Sequence, residues 1–301
     1  MRRPSDGSRA GMKKAAVIGA RSMLGSQVVA QLRACGVEAL SVGRSPEDDL
    51  FFDLEGALAS TSDMSVDVVF HCASSFGDDS DAGLRQNYAT NTTSSLGVAE
   101  LVLRLNARAL VYAGSIWSYD DANRDRFTSY GLTKALAEQM LSWQLQKQGK
   151  LFCSLRLSQL YDTEGRCRAH QPWFGRIIAY ASRGATIRMP ESRGPQNFLH
   201  VGDAADLMIR AVEKGLSGVH AAVHSDPLSY RDIANIAYDV FGLGGMVEIA
   251  PEKTPFRPVD APDAAETLRS LGKRYLITMR EGISGIRDAG TAGAFGPMDV
   301  K

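Results

Sequence analysis

A short apolar run, Ala15-Ala-Val-Ile, stops at Gly19, and helical spacing takes over from Met23 to Ala34. An apolar run of that length bounded by glycine reads as a buried strand, and the residues after it read as a tight turn and a helix. The pattern then repeats. Val37 to Val42, Val66 to Phe70, Ala109 to Ala113 and Leu151 to Leu157 have strand character, while Thr90 to Leu105 and Tyr130 to Gln148 carry helical spacing, the second stopped by Gly149. Strands alternating with helices predict an α/β chain built on a doubly wound parallel sheet.

The regular pattern breaks from Tyr161 to Pro195, where Gly, Pro, Arg and isolated aromatics interrupt one helical stretch from Trp173 to Ala181. Phe198 to Val201 and Val219 to His224 read as strands returning to the sheet, with a helix from Asp203 to Lys214 between them. The expected division is therefore interleaved. Residues 13–160 and 197–224 make a dinucleotide-binding core, 161–196 and 225–287 a smaller substrate lobe, and the cleft lies at the carboxyl ends of the strands. The first twelve residues carry basic side chains with no apolar segment after them, unlike a signal peptide, and read as a disordered leader with Met12 as an alternative start. Residues 288–301, rich in glycine and alanine, are expected to be a loose tail.

Charge excludes some functions. The 301 residues hold 34 Lys plus Arg against 34 Asp plus Glu, which leaves no basic footprint for nucleic acid or an anionic membrane. No stretch reaches the roughly 20 apolar residues that a membrane span needs. Cys35, Cys72, Cys153 and Cys167 show no Cys-x-x-Cys spacing and the five histidines are scattered, so no metal is expected and the thiols read as reduced, in the cytoplasm. His71, His200 and His224 sit at strand ends and are expected to be satisfied structural residues.

Chemistry is concentrated in Ser129-Tyr-Gly-Leu-Thr-Lys134 and in Ser115 upstream of it. Four residues is about one helical turn, so Tyr130 and Lys134 share a helix face, where the cation is expected to favour the phenolate. A carbonyl or alcohol oxygen held between Ser115 and Tyr130 would exchange a proton there while its carbon exchanges hydride with a nicotinamide. Gly19 and Gly25 bracket a loop whose backbone amides can approach a pyrophosphate at a helix N-terminus. The end of the second strand, Ser41-Val-Gly-Arg-Ser45, holds no carboxylate, and Arg21 and Arg44 are placed to clamp a 2′-phosphate; NADP(H) is expected over NAD(H).

The ordered set of these pieces resembles the extended branch of the short-chain dehydrogenase/reductase superfamily, the NAD-dependent epimerase/dehydratase family. Matching runs are Val111-Tyr-Ala-Gly-Ser-Ile-Trp-Ser-Tyr119, His71-Cys-Ala-Ser, Asn87 and Asn91, Leu155-Arg-Leu-Ser-Gln-Leu-Tyr161 and Asn197-Phe-Leu-His-Val-Gly-Asp203. The resemblance implies a Rossmann-type fold with Ser115, Tyr130 and Lys134 catalytic. It implies a cofactor site of Gly19, Arg21, Ser22, Met23, Leu24, Gly25, Arg44, Asp53, Leu54, Cys72, Ala73, Asn91, Tyr130 and Lys134, with Ser22 where a third glycine is usual, Asp53 on the adenine and Asn91 holding a water. For the substrate it implies Ser115, Trp117, His170, Arg193, Asn197 and Arg257. Ile116 and Trp117 stand where dehydratases carry an Asp-Glu pair, and Trp117 where some epimerising reductases carry a cysteine. His170 falls near the histidine of those enzymes, in a divergent stretch. Gln196-Asn197-Phe198 stands where the family carries Arg-Asp-Phe entering the sixth strand, so one expected diphosphate contact is missing unless Arg193 replaces it. The leading expectation is an NADP-dependent reductase of a nucleotide-linked 4-keto sugar. A sugar-nucleotide 4-epimerase, a reductase of a smaller carbonyl and a non-catalytic dinucleotide-binding protein are the alternatives. Relatives often form homodimers through the helices that follow Thr90 and Tyr130.

Overall fold

A computed structural model describes residues 11–56, 64–118 and 128–298. Residues 1–10 of the expected leader, Tyr119, the rest of the segment to 127 and residues 299–301 lie outside the described residues. The chain falls into two compact units, the first made of 1–156, 205–221 and 267–272, the second of 157–204, 222–266 and 273–301.

The first unit starts as the sequence predicts. Strand β1 (Lys14–Ile18) leads to helix α1 (Met23–Ala34), then to β2 (Glu38–Gly43), β3 (Leu50–Phe51) and β4 (Val68–His71). Helix α2 (Asp81–Asn87) passes through a π-helical segment, Tyr88–Thr93, into α3 (Ser94–Arg104), so the single helix expected from Thr90 to Leu105 starts in the π segment and extends upstream through α2. Strand β5 (Ala109–Ser115), helix α4 (Ser129–Lys147) and β6 (Leu151–Leu157) come next. The central sheet has seven strands and includes a later one, Gly218–Ala222, at its edge beside β6; from there the order is β5, β4, β1, β2, β3. The pairs from β3 to β5 are parallel. This order reverses direction at β1, the place where α/β sheets open a crevice for ligands.

Burial explains why these segments become strands. Val68, Val69 and Phe70 of β4 and Ala15, Ala16 and Val17 of β1 are fully buried, as continuous apolar runs are when helices cover both faces of a sheet. Helix α4 contributes the stripe Lys134, Ala137, Glu138, Leu141 and Leu145, all buried and spaced at three or four residues. The register pairs Ile18 with Val42 and with His71, and His71 with Tyr112, so the carboxyl ends of β1, β2, β4 and β5 finish near one level.

The second unit is less regular. Phe198–His200 was expected to return to the main sheet, but it pairs in parallel with Gln159–Tyr161 in a separate two-stranded sheet. A second small sheet pairs Val247–Ile249 with Ile187–Met189. Side chains bonded to backbone replace the missing ladders: Asp162 accepts from the amides of Glu164, Arg166 and Cys167, and Gln196 donates to the Arg257 carbonyl at 2.7 Å. The expected loose tail needs correction from 288 to 298. Ala292–Phe295 is a short 3-10 turn whose Phe295 is buried against Phe174, since an aromatic ring of that size finds a core position even in a glycine-rich stretch. Met12, expected in the leader, is buried too.

Candidate functional site

The turn after β1 is shaped by close approach. Gly19 has φ +75°, and a Cβ there would stand 2.8 Å from the Ala73 Cβ; a Cβ on Gly25 would stand 2.1 Å from the Gly19 carbonyl oxygen. Both positions therefore require glycine. Ser22 fills the third place by capping α1: its hydroxyl accepts from the Gly25 amide at 2.9 Å, while its own amide donates to the Gly19 carbonyl at 2.8 Å. Met23 and Leu24 open the helix behind it. The result is a helix N-terminus at the mouth of a cleft of about 440 Å³ lined by Gly19, Arg21, Ser22, Arg44, Asp53 and Leu54, with Ala73 on its far wall. Cys72 lies buried beside it and bonds the Ile18 carbonyl through its amide. A dinucleotide fits this cradle, because its pyrophosphate can lie on the α1 N-terminus where side chains are missing.

Residues 41–45 hold no carboxylate, but the cleft is not free of acid at the end of β2. Asp48 folds back from the following loop. Its side chain is 3% exposed, its Oδ1 accepts from Arg21 Nε at 3.1 Å, and its Oδ2 accepts from the Ser45 amide at 3.0 Å. Glu47 takes a second guanidinium nitrogen of Arg21 at 2.9 Å. These bonds, that to Asp48 foremost, raise the Arg21 pKa. Arg44 is exposed at the rim and makes no ion pair among the described residues.

The catalytic candidates gather elsewhere in the same unit. Ser115 ends β5 and is buried; Thr128 caps α4 by accepting from the Gly131 amide at 3.0 Å, which aims Tyr130 from the first turn. A Cβ on Gly131 would lie 2.3 Å from the Trp117 carbonyl, so glycine lets α4 begin directly against the turn after β5. Trp117 is 39% exposed and its amide donates to Ser115 Oγ at 3.2 Å. Ser115 and Ser74 lie close enough to the Tyr130 hydroxyl that each lowers its pKa, and its ring stacks on Phe76 at 4.9 Å. Ser74 carries no signal of its own in the sequence, although it closes the His71-Cys-Ala-Ser run. Its Oγ donates to Asn91 Oδ1 at 3.0 Å.

Asn91 is buried, and its side-chain amide accepts from the Ser75 amide at 2.8 Å and donates to the Ser75 carbonyl and to Thr133 Oγ1, so both ends clamp the loop after β4. The expected electrostatics are corrected. Tyr130 keeps some exposure, yet the protein packed around it pushes its pKa up to about 12, against the smaller lowering by Ser115 and Ser74. Lys134 is buried with Nζ 4.0 Å from the centre of the Tyr112 ring, and desolvation lowers its pKa to about 7. Burial outweighs the mutual effect of the pair. His71 is buried with Nδ1 lacking a protein partner, and desolvation drops its pKa to about 3; His224 Nε2 is likewise unpartnered, so neither is the fully satisfied residue expected.

Four substrate candidates lie in the second unit. Arg193 and Arg257 are exposed on adjacent segments, the Arg193 amide donating to the Phe256 carbonyl at 3.3 Å. His170 is exposed after the 3-10 turn Arg166–Ala169. Asn197 is buried and spends its amide on the His224 main chain, at 2.8 and 3.0 Å, so it straps two segments together rather than facing a substrate. Among the described residues no group of three or more His, Cys, Asp or Glu could hold a metal, and no helix is long and apolar enough to cross a membrane.

Known proteins share this fold. A family model described as the NAD dependent epimerase/dehydratase family matches residues 15–224. The chain is 25% identical over 285 residues, 82% of its own length and 85% of the other's, to a dTDP-4-dehydro-6-deoxy-D-allose reductase of Streptomyces bikiniensis. Among solved structures it is similar to a UDP-N-acetylglucosamine 4-epimerase from Bacillus cereus, at 21% identity and TM-score 0.74 over 96% of this chain and 99% of that one. It is also similar to the Bordetella bronchiseptica enzyme WbmF, solved with NAD+ and UDP, at 16% identity and TM-score 0.74 over 96% of each chain.

Proposed function

Because the chain belongs to the NAD dependent epimerase/dehydratase family and is an oxidoreductase of the extended short-chain dehydrogenase/reductase type, we propose that it reduces the ketone of a nucleotide-linked 4-keto sugar with NADP(H) as its carrier. One observation carries this reading: the Tyr130 hydroxyl and Ser115 are neighbours where β5 ends and α4 begins, close enough for Ser115 to lower the phenol pKa, with Lys134 one turn further along α4. When bound, the nicotinamide supplies a hydride to the carbonyl carbon. Ser115 donates a hydrogen bond to the carbonyl oxygen and orients it. Tyr130, whose raised pKa keeps its proton at neutral pH, passes that proton to the oxygen as the alcohol forms. Ser74 and Asn91 fix the phenol from its other side. Gly19, Ser22 and Gly25 supply the pyrophosphate seat, and Arg21 with Arg44 the 2′-phosphate contacts. The reductase from Streptomyces bikiniensis, named for a 4-dehydro sugar nucleotide, supports the substrate class. This reading assigns the substrate diphosphate to Arg193 and Arg257, guanidiniums suited to charge-assisted bonds with phosphate.

The same reading makes the protein a homodimer. Helices α3 and α4 bury one side each, yet Leu96, Leu103, Leu132 and Trp143 remain exposed on them, apolar area that a second copy would cover.

A sugar-nucleotide 4-epimerase is the second reading, favoured by the Asp48 carboxylate near the end of β2, where an acid suits the ribose of NAD. Incubation with NADPH and a panel of nucleotide-linked 4-keto sugars separates the two. The reductase consumes one NADPH per alcohol and leaves no solvent deuterium on the carbons flanking the carbonyl; product formed without NADPH loss overturns it in favour of the epimerase.

A further inference from the structure

The sequence offers Arg21 and Arg44 as a pair of cations at the end of β2, but only one of them faces the cleft uncompensated. Arg21 is held on one side by Asp48, through Nε at 3.1 Å, and on the other by Glu47 at 2.9 Å. The two carboxylates differ in kind. Glu47 is 78% exposed, so solvent and salt screen its hold on Arg21; the Asp48 side chain is 3% exposed and is fixed in place by the Ser45 amide. Asp48 also lies where a side chain on Gly43, the last residue of β2, would stand, since a Cβ there would meet Asp48 Oδ2 at 2.6 Å. A carboxylate from the loop beyond the usual acid region therefore occupies the end of the strand.

Two roles are open to such a group. As a ribose ligand it would accept from sugar hydroxyls and favour NAD. Its bonding favours the other role, because its charge is already committed to Arg21 on Oδ1 while the Ser45 amide holds Oδ2, leaving one lone pair on each oxygen. As a counter-ion it competes with any anion that approaches Arg21. A 2′-phosphate contacting that guanidinium comes within a few ångströms of a fixed negative charge, which at 3% exposure is screened less than it would be at the 54% exposure of Arg21.

We propose that Asp48 is the residue that limits selection of the phosphorylated cofactor: it neutralises Arg21 and leaves Arg44 as the principal contact for a 2′-phosphate. The inference rests on the proposed role of the two arginines at that phosphate. Discrimination by this chain is consequently shallow, and it is set by the loop after β2 rather than by the strand end.

The test measures dissociation constants for NADP+ and NAD+, by quenching of intrinsic tryptophan fluorescence, in the full chain and in two variants. Asp48→Asn keeps an oxygen for the Ser45 amide and removes the charge. It is expected to tighten NADP+ about tenfold and to leave NAD+ within twofold, the direction that removal of a nearby like charge demands. Glu47→Gln, on an exposed side chain, is expected to tighten NADP+ about two- to threefold and serves also if Asp48→Asn does not fold. Weaker NAD+ binding by Asp48→Asn would make Asp48 a ribose ligand and overturn the inference, as would unchanged NADP+ binding in both variants. The ratio of the two constants in the parent chain tests the NADP reading separately. If the parent prefers NAD+ and Asp48→Asn still tightens NADP+ alone, that reading fails and the inference about Asp48 stands.

Discussion

Two carboxyl ends of one sheet do opposite things with charge. At the end of β2, Arg21, Arg44, Glu47 and Asp48 meet near water, paired and partly screened. At the end of β5 and the start of α4, Ser115, Tyr130 and Lys134 are packed into protein, and burial rather than pairing sets which proton each group holds. The first place is suited to graded recognition, since exposed charges trade small energies. The second is suited to a proton transfer that is either set up or absent.

The largest break in this contrast comes from the buried end. Tyr130→Phe removes the proton and leaves the packing, so turnover should fall by roughly 10²–10⁴-fold with cofactor affinity within twofold, measured by steady-state rates and fluorescence titration. Full activity in this variant would move the proton donor elsewhere, with His170 the next residue to replace.

The next effect is on stability against pH. Lys134 holds a pKa of about 7 when folded, against 10.5 when unfolded, so between these values the unfolded chain binds more protons and stability should climb as pH rises from 7 toward 10.5. Below pH 7 the penalty of a buried ammonium is complete. Denaturant unfolding of the cofactor-free protein at several pH values should show this rise, and Lys134→Met should flatten it. A parallel rise in the variant would assign the slope to another group.

Effects at the charged end should be smaller. Arg44→Asp is expected to weaken NADPH selectively by about 1–3 kcal/mol, the range of one charge-assisted contact. Equal loss for NADH and NADPH would show that the guanidinium does not read the 2′-phosphate. The mildest outcome concerns assembly: Trp143, 66% exposed on α4, lies outside both ends, and Trp143→Glu should shift a dimer toward monomer in light scattering without altering cofactor affinity. A parent chain that is monomeric at all concentrations would refute the dimer.

Legibility in the sequence tracks the same physical line. Helix α1 and strand β6 have the bounds predicted, because a twelve-residue helical period and a seven-residue apolar strand each have a single way to be buried. The glycine turn is readable too, since glycine spacing states geometry directly. The placement of Phe198–His200 is not, because a three-residue apolar run carries no information about which strand it joins. Asp48 is hidden for a related reason: a loop acid announces no partner until the loop folds back. The direction of the Tyr130 shift escapes the sequence because a motif shows which charges are neighbours but not how much water they lose.

The π-helical segment Tyr88–Thr93 bears on how this chain tolerates insertion and deletion. A π turn holds one residue more than an α turn, so it behaves as a single-residue insertion absorbed inside a continuous helix. It faces Asn91 toward the loop after β4 and sends Thr92 Oγ1 to the Thr133 carbonyl on α4 at 3.0 Å. Deleting one residue between 88 and 93 would restore ordinary helix at no cost in backbone bonding. Because the extra residue is absorbed, the flanking helices would keep their phase, and what would be lost is the widened turn that brings Asn91 to Ser74 and Ser75. A length change that improves the helix thus dismantles the support of Tyr130, which makes the residue count of this helix, more than its composition, the thing that cannot drift.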